Sequence, residues 1–187
     1  MPAHSYRRIL EIGCAEGHFT EQIAHRFPDA EIVATDLIMQ AVERAAVRCR
    51  DLRNVSARHH DIATDDLDGR FDLVFCMGVL EQGPKPGQLE PIRNRIVDAL
   101  EAGGLLLLES WRLPPEFENR WWARRFHSGA RVLHDRFLED GRMTLVREVP
   151  SYGDSRLASL SQRTAESRSA EGTSSSSSAQ RTSISSG

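Results

Sequence analysis

An apolar strand pattern that runs into a glycine turn and then into a helical pattern is the feature that most constrains this chain. The stretch is ILEIGCAEGHFT, in which an apolar run carries an acid at Glu11, glycines follow at Gly13 and Gly17, and helical spacing begins near Phe19. Glycine lets a backbone turn sharply and approach a ligand closely. The stretch therefore predicts a strand, a ligand-holding turn and a helix.

The alternation of strand and helix continues for about one hundred residues. Strand patterns cover Arg8 to Ile12, Glu31 to Thr35, Val55 to His59, Phe71 to Met77 and Leu105 to Glu109. Helical spacing separates several of them, from Phe19 to Phe27, from Met39 to Arg50, and from Ile92 to Leu100 with an end at Gly103 and Gly104. This order predicts right-handed parallel crossovers in an α/β, Rossmann-like, doubly wound sheet. Ligands of such sheets bind at the carboxyl ends of the strands.

The C-terminal part changes character. A helix is predicted from about Gly129 to Glu139, and Met143 to Val149 with Arg156 to Leu160 predict an antiparallel hairpin. Beyond about residue 162 the chain is rich in serine, which favours disorder because little apolar surface can be buried. We therefore expect one domain over residues 1–161 and a disordered tail over residues 162–187.

Charge and cysteine content narrow the partners. The chain has 27 acids and 24 bases, a formal charge of -3, which weakens the case for a nucleic-acid or anionic-membrane partner. The longest apolar run, Leu105 to Leu108, is too short to span a bilayer. The three cysteines are far apart without metal-ligand spacing, which favours a reducing cytoplasm and no metal. The expected partner is a small molecule.

The glycine turn distinguishes between two nucleotide-type ligands. A dinucleotide fingerprint requires G-x-G-x-x-G, but Ala15 and His18 occupy its second and third glycine positions. The pattern of Glu11, Gly13, Ala15 and Gly17 suits a ligand without phosphates that carries a positive sulfonium, namely S-adenosylmethionine. We therefore expect S-adenosylmethionine as the cofactor.

This glycine stretch resembles motif I of class I S-adenosylmethionine-dependent methyltransferases, and with Ala15 at the middle glycine it is most similar to the nodulation-protein-S-like branch. The likeness extends from about residue 8 to residue 160. It implies the class I methyltransferase fold, with a mainly parallel sheet and a C-terminal antiparallel hairpin. Family members also have helices before the first strand that close over the cofactor, whereas only eight residues precede Ile9.

The resemblance implies a role for several acids and their neighbours. Asp36 would accept the ribose hydroxyls, Asp61 the adenine amine, and the Ile62 N–H would face a ring nitrogen. Taken alone, Asp61 could equally cap a helix. The stretch FDLVFCMGVLEQ resembles the fourth-strand motif beside the methionine moiety and the acceptor. The cofactor-binding set expected is Glu11, Gly13, Ala15, Gly17, Asp36, Leu37, Asp61, Ile62 and Met77.

Catalytic residues are less clearly indicated. Methyl transfer is an in-line displacement that requires positioning, and a hydroxyl acceptor also requires a general base. The resemblance points to Glu81 and His127, although each could be an ordinary surface side chain. Met77 and Gly78 depart from the branch, which commonly has an acid just before Val79 and Leu80.

Three functions remain open at this stage. The first is methylation of an N or O atom of a small molecule, for which the resemblance implies an amino sugar or glycoside. The second is a non-catalytic or truncated S-adenosylmethionine-binding domain of a larger biosynthetic protein. The third, methylation of nucleic acid, rests only on a basic aromatic cluster that could equally be an amphipathic cover, formed by Trp121, Trp122, Arg124 and Arg125.

Overall fold

The computed structural model describes residues 5–80, 87–112, 130–151 and 156–165. The strands in these ranges are β1 (Arg8–Ile12), β2 (Glu31–Asp36), β3 (Val55–His59), β4 (Phe71–Met77), β5 (Leu100–Trp111), β6 (Met143–Ser151) and β7 (Arg156–Arg163). The helices are α1 (His18–Arg26), α2 (Met39–Arg48), α3 (Leu89–Ala99) and α4 (Ala130–Leu138). No helix within the described ranges combines the length and apolar character that crossing a bilayer requires.

All seven strands form one sheet in the order β3-β2-β1-β4-β5-β7-β6. The pairs from β3 to β5 are parallel, and β7 runs antiparallel between β5 and β6. The chain builds outward from β1 to β3 and then returns to the other side of β1 with β4. A crevice forms at such a reversal, outside the carboxyl ends of the strands. The predicted doubly wound, mainly parallel sheet with a C-terminal hairpin is confirmed.

Two apolar layers hold the sheet. Alternate residues of a strand point to opposite faces, so Ile9 joins the cluster that contains Ile23 of α1, and Leu10 joins the cluster that contains Ile96 of α3. Three of these side chains are fully buried and Ile23 is nearly so. Because both faces are covered in this way, the ends of β1 and its neighbours have a fixed position under the crevice.

The prediction that Gly103 and Gly104 end α3 is wrong. The helix ends at Ala99, and β5 begins at Leu100, which pairs with Phe71. The register then shifts, with Gly103 at φ +81° and with Gly104 so close to the carbonyl oxygen of Phe71 that an added Cβ would lie 3.0 Å from it. The glycines are needed for this irregularity inside β5.

The last strand is longer than predicted. The sequence predicts an end at Leu160, but the strand continues to Arg163, whose guanidinium donates to the carbonyl oxygens of Val97 in α3 and Leu100 at the start of β5. Conversely, α2 ends at Arg48 rather than Arg50. The predicted start of the disordered tail at residue 162 is too early, because Gln162 and Arg163 belong to β7. Residues 166–187 of the predicted tail lie outside the described residues.

Candidate cofactor site

A cleft of about 580 Å³ lies at the carboxyl edge of the sheet, above the ends of β1, β2 and β4. Small-molecule sites in proteins are commonly about 300 to 1,000 Å³. Most of the predicted cofactor-binding residues line it, namely Gly13, Ala15, Asp36, Leu37, Asp61, Ile62 and Met77. Residues that the sequence did not single out for this role complete the lining, among them Thr35, Ile38, His60, Gly78, Gln88 and Ile92.

The glycine loop is fastened to the end of β2. The N–H groups of Gly13 and Cys14 donate to the carbonyl oxygen of Thr35 at 2.7 and 2.9 Å, and the Thr35 hydroxyl donates to the carbonyl oxygen of Glu11. The N–H of Ala15 donates to Asp36 Oδ2 at 2.8 Å. Two consecutive residues of β2 therefore fix the path of the loop.

The Asp36 carboxylate is held in place on both of its oxygens. In addition to the bond from Ala15, Oδ1 accepts the N–H of Ile38 at 2.9 Å. A carboxylate has about four lone-pair directions, so two backbone bonds leave capacity for two hydroxyl donors. This arrangement fits a vicinal diol.

Ala15 adopts an uncommon conformation at the bend of the loop. Its φ of 47° lies in the left-handed region, which costs an L-residue with a Cβ about 1 to 2 kcal/mol. The hydrogen bond to Asp36 helps to hold it there. The chain therefore keeps a glycine-like backbone at the position where the sequence has alanine.

Two of the predicted residues, Glu11 and Gly17, do not line the cleft. Glu11 is 5% exposed and accepts the Thr20 hydroxyl at 2.6 Å. A Cβ at Gly17, where φ is +79°, would lie 2.9 Å from the Cα of Ala45 in α2. Both residues therefore support the glycine loop and α1 from outside the cleft.

Burial changes the acidity of Glu11. Removal from water raises its pKa from 4.5 to about 7; the Thr20 hydrogen bond opposes this rise and the charge of Asp36 adds to it. Burial also raises the pKa of the Cys14 thiol to about 12, with a further contribution from Glu11. Cys14 is therefore a protonated thiol at neutral pH and unsuited to act as a nucleophile.

The segment after β3 forms the far side of the cleft. Asp61 Oδ1 accepts the N–H of Ala63 at 2.8 Å, and the Asp61 N–H donates to Asp65 Oδ2, so this residue organises a turn while its side chain lines the cleft. His60 also lines the cleft, and its N–H donates to the carbonyl oxygen of Asp36 at 3.0 Å. Burial lowers the pKa of His60, which keeps its imidazole neutral at pH 7. Its position directly before Asp61 was the only sequence signal for this placement.

The predicted catalytic residues Glu81 and His127 lie outside the described residues, as does the cluster from Trp121 to Arg125. In the described ranges, no group of three or more His, Cys, Asp or Glu side chains is placed to hold a metal ion.

Comparison with known proteins identifies the family. Residues 10–106, just over half of the chain, match the family model described as a methyltransferase domain. The chain belongs to this family. Its fold and motifs place it among the class I S-adenosylmethionine-dependent methyltransferases, and S-adenosylmethionine is the cofactor of this class.

Curated relatives of this methyltransferase are similar over part of their length. Trans-aconitate 2-methyltransferase of Deinococcus radiodurans is 29% identical over 109 residues, which is 58% of this chain and 40% of the relative. Malonyl-[acyl-carrier protein] O-methyltransferase of Bacillus anthracis is 28% identical over 109 residues, 58% of this chain and 39% of the relative. The chain thus spans about two fifths of the length of these relatives.

A solved structure is similar to most of this chain. The N-methyltransferase NodS of Bradyrhizobium japonicum, in complex with S-adenosyl-L-homocysteine, superposes with a TM-score of 0.70 at 26% identity. The match covers 85% of this chain and 79% of NodS. It supports the nodulation-protein-S-like resemblance.

Glu11 should make the stability of the methyltransferase depend on pH. Because its folded pKa is raised, its contribution to stability is full below pH 4.5 and is lost as pH rises to about 7. The loss amounts to about 3 kcal/mol at about 1.4 kcal/mol per pH unit. In Glu11→Gln, which can still accept the Thr20 hydroxyl, this component should disappear from urea unfolding measured between pH 4.5 and 8. Identical pH profiles for the two proteins would contradict the raised pKa.

Gly13 should be required for the shape of the cleft. A Cβ at this position would overlap Cγ2 of Val79, which lines the cleft, and φ is +81°. Gly141→Ala is a matched control, because φ is +72° there but no atom lies within 4 Å of an added Cβ. We expect Gly13→Ala to weaken S-adenosylhomocysteine binding about tenfold or more, and Gly141→Ala to change it less than about twofold, by calorimetry. Equal effects of the two substitutions would show that the contact with Val79 does not matter.

Proposed function

We propose that this methyltransferase binds S-adenosylmethionine in the cleft and transfers a methyl group to an N or O atom of a small molecule, with an amino sugar or glycoside as the acceptor. The observation that carries the proposal is the Asp36 carboxylate, held by two backbone N–H groups at the mouth of the glycine loop. A site of this shape suits a ribose diol better than a pyrophosphate, which a carboxylate would repel.

The nucleoside would lie between β2 and the segment after β3. Asp36 would accept the ribose hydroxyls, and Leu37 would cover one side of the base. Asp61 would accept the adenine amine, while the Ile62 N–H would donate to a ring nitrogen. The side chains of Leu37 and Ile62 line the same cleft and would supply apolar contact for the flat base.

The methionine end would lie over the glycine loop. Gly13 allows a ligand close approach there, and Met77 lines the cleft at the end of β4. Glu11 lies behind this loop with its pKa raised to about 7. A positively charged ligand above the loop would favour the ionised carboxylate, so Glu11 would contribute to attraction of the ligand without contact.

The chemistry supplied with S-adenosylmethionine is an electrophilic methyl group on a positive sulfur. The residues of the chain would hold the acceptor in line with that methyl group and exclude water. An amine acceptor must lose its proton and a hydroxyl acceptor requires a base. Glu81 and His127 are our candidates for these roles.

The acceptor class rests on similarity. NodS is an N-methyltransferase that matches most of this chain at 26% identity, which supports transfer to a nitrogen atom. The amino sugar or glycoside is what the nodulation-protein-S-like resemblance implies. By their names, the curated relatives act on different acceptors, namely trans-aconitate and malonyl-[acyl-carrier protein].

Turnover with a panel of acceptors tests this function. With isotope-labelled S-adenosylmethionine, we expect label in deacetylated chitooligosaccharides or aminoglycosides and little in simple phenols or acids. Turnover of phenols or acids without turnover of any sugar would contradict the acceptor class. Binding of S-adenosylhomocysteine without any turnover would favour a non-catalytic binding domain.

A further inference from the structure

A buried carboxyl group lies beneath the glycine loop without a basic partner beside it. Glu11 is 5% exposed, and the Thr20 hydroxyl donates to its Oε2 at 2.6 Å. In the part of the chain that the structure describes, no basic side-chain nitrogen lies within 4 Å of this carboxyl group. A buried charge usually requires a partner of opposite sign. The described residues therefore supply no counter-charge for an ionised Glu11.

The groups that surround Glu11 are apolar, neutral or acidic. The adjacent strand β4 places Phe75 beside it in register. The nearby titratable groups are the Cys14 thiol of the glycine loop, the Cys49 thiol that follows α2, and Asp36 at the end of β2. Burial raises the pKa of both thiols, which keeps them uncharged near neutral pH. Asp36 thus adds a second acid to the region.

The Glu11 carboxyl group responds to charge in the cleft, although it does not line the cleft itself. Asp36 does line the cleft, and its charge adds to the rise that burial causes in the pKa of Glu11. Charges act over longer distances where little water screens them, as they do at a buried carboxyl group. A positive charge in the same cleft acts with the opposite sign and favours the ionised form of Glu11.

The cofactor and its product differ in the charge of one atom. S-adenosylmethionine carries a positive sulfonium. Methyl transfer breaks one S–C bond, leaves the electron pair on sulfur and passes the positive charge to the acceptor atom. S-adenosylhomocysteine therefore has a neutral sulfur, with the same nucleoside and amino acid parts. In the arrangement proposed above, this sulfur belongs to the end of the ligand that lies over the glycine loop, and Glu11 lies beneath that loop.

We propose that Glu11 is a specificity-determining residue that distinguishes S-adenosylmethionine from S-adenosylhomocysteine by the charge of the sulfur. This inference rests on the binding of S-adenosylmethionine in the cleft, as proposed above. The ionised carboxylate favours the sulfonium, so binding of the cofactor expels the proton of Glu11. After methyl transfer the carboxylate takes up a proton again, and the neutral product is held less tightly than the cofactor.

The direction of the pH dependence follows from the pKa of about 7 in the ligand-free protein. At pH 6 most molecules carry the proton on Glu11, and a cationic ligand must expel it. At pH 8 the carboxyl group is already ionised, so the same ligand binds without that cost. Affinity for a cationic ligand therefore rises by up to about tenfold from pH 6 to pH 8. Affinity for a neutral sulfur does not rise in this way.

Calorimetric titration of the full chain with three ligands at pH 6, 7 and 8 tests the inference. The ligands are S-adenosylmethionine, S-adenosylhomocysteine and sinefungin, which carries an amine cation in place of the methyl sulfonium and cannot transfer a methyl group. Glu11→Gln can still accept the Thr20 hydroxyl but carries no charge, and Glu43→Gln removes the same charge from an exposed position of α2. Because the amino group of each ligand titrates near pH 8, the readout is the affinity of the wild type divided by that of Glu11→Gln.

We expect this ratio to rise about five- to tenfold from pH 6 to pH 8 for both cationic ligands, and to change less than about twofold for S-adenosylhomocysteine. Glu43→Gln should follow the wild type. The wild type alone, titrated at pH 7 in two buffers of different ionisation enthalpy, should release about half a proton more with S-adenosylmethionine than with S-adenosylhomocysteine. This second measurement does not depend on the folding of a variant.

The inference is overturned if the ratio rises equally for S-adenosylhomocysteine and S-adenosylmethionine, or if it stays constant for the cationic ligands. Equal proton release with the two natural ligands would also overturn it. Failure of the proposed function has a different signature, which is the absence of binding of all three ligands to the folded wild type at every pH. That result would contradict the cofactor site and this inference together.

Discussion

The fastening of the glycine loop to the end of β2 is the constraint on which the rest of the site depends. The carbonyl oxygen of Thr35 and the carboxylate of Asp36 together accept three N–H groups from the loop. These bonds set the left-handed bend at Ala15 and the start of α1. Because β2 is a strand of the central sheet, the loop takes its position from the most buried part of the fold.

Electrostatics of the same region explain the choice of ligand. Asp36 and Asp61 line the cleft, and Glu11 is buried beneath the loop. These acids disfavour phosphate and favour a ligand with positive charge. Burial, with a smaller contribution from the charge of Asp36, raises the pKa of Glu11 and so opposes its ionisation. A cation above the loop would favour the ionised carboxylate of Glu11 and so lower its pKa.

Local sequence patterns were sufficient for the order of strands and helices. Apolar runs followed by acids located β1, β2 and β3 together with the residues at their carboxyl ends, including Asp36 and Asp61. The fold follows from that order because parallel crossovers have a preferred hand.

Features that depend on contacts between distant residues could not be predicted in this way. The glycines at 103 and 104 match the pattern of a helix end, because the register shift between β4 and β5 at which they lie is not visible locally. The sequence predicts Gly17 as a cofactor-binding residue but does not show its close packing against Ala45 of α2. The approach of Arg156 to Gly78 joins residues that are far apart in sequence. Each of these features requires the sheet to be assembled first.

Calorimetric titration of S-adenosylhomocysteine into the wild type, Asp36→Ala and Asp51→Ala tests the central claim most directly. Asp51 is an exposed acid that provides the same change of charge, and circular dichroism verifies that each protein is folded. The account predicts micromolar binding to the wild type and to Asp51→Ala, and a loss of about tenfold or more in Asp36→Ala. Absence of binding to the folded wild type, or equal affinity of folded Asp36→Ala, would contradict it.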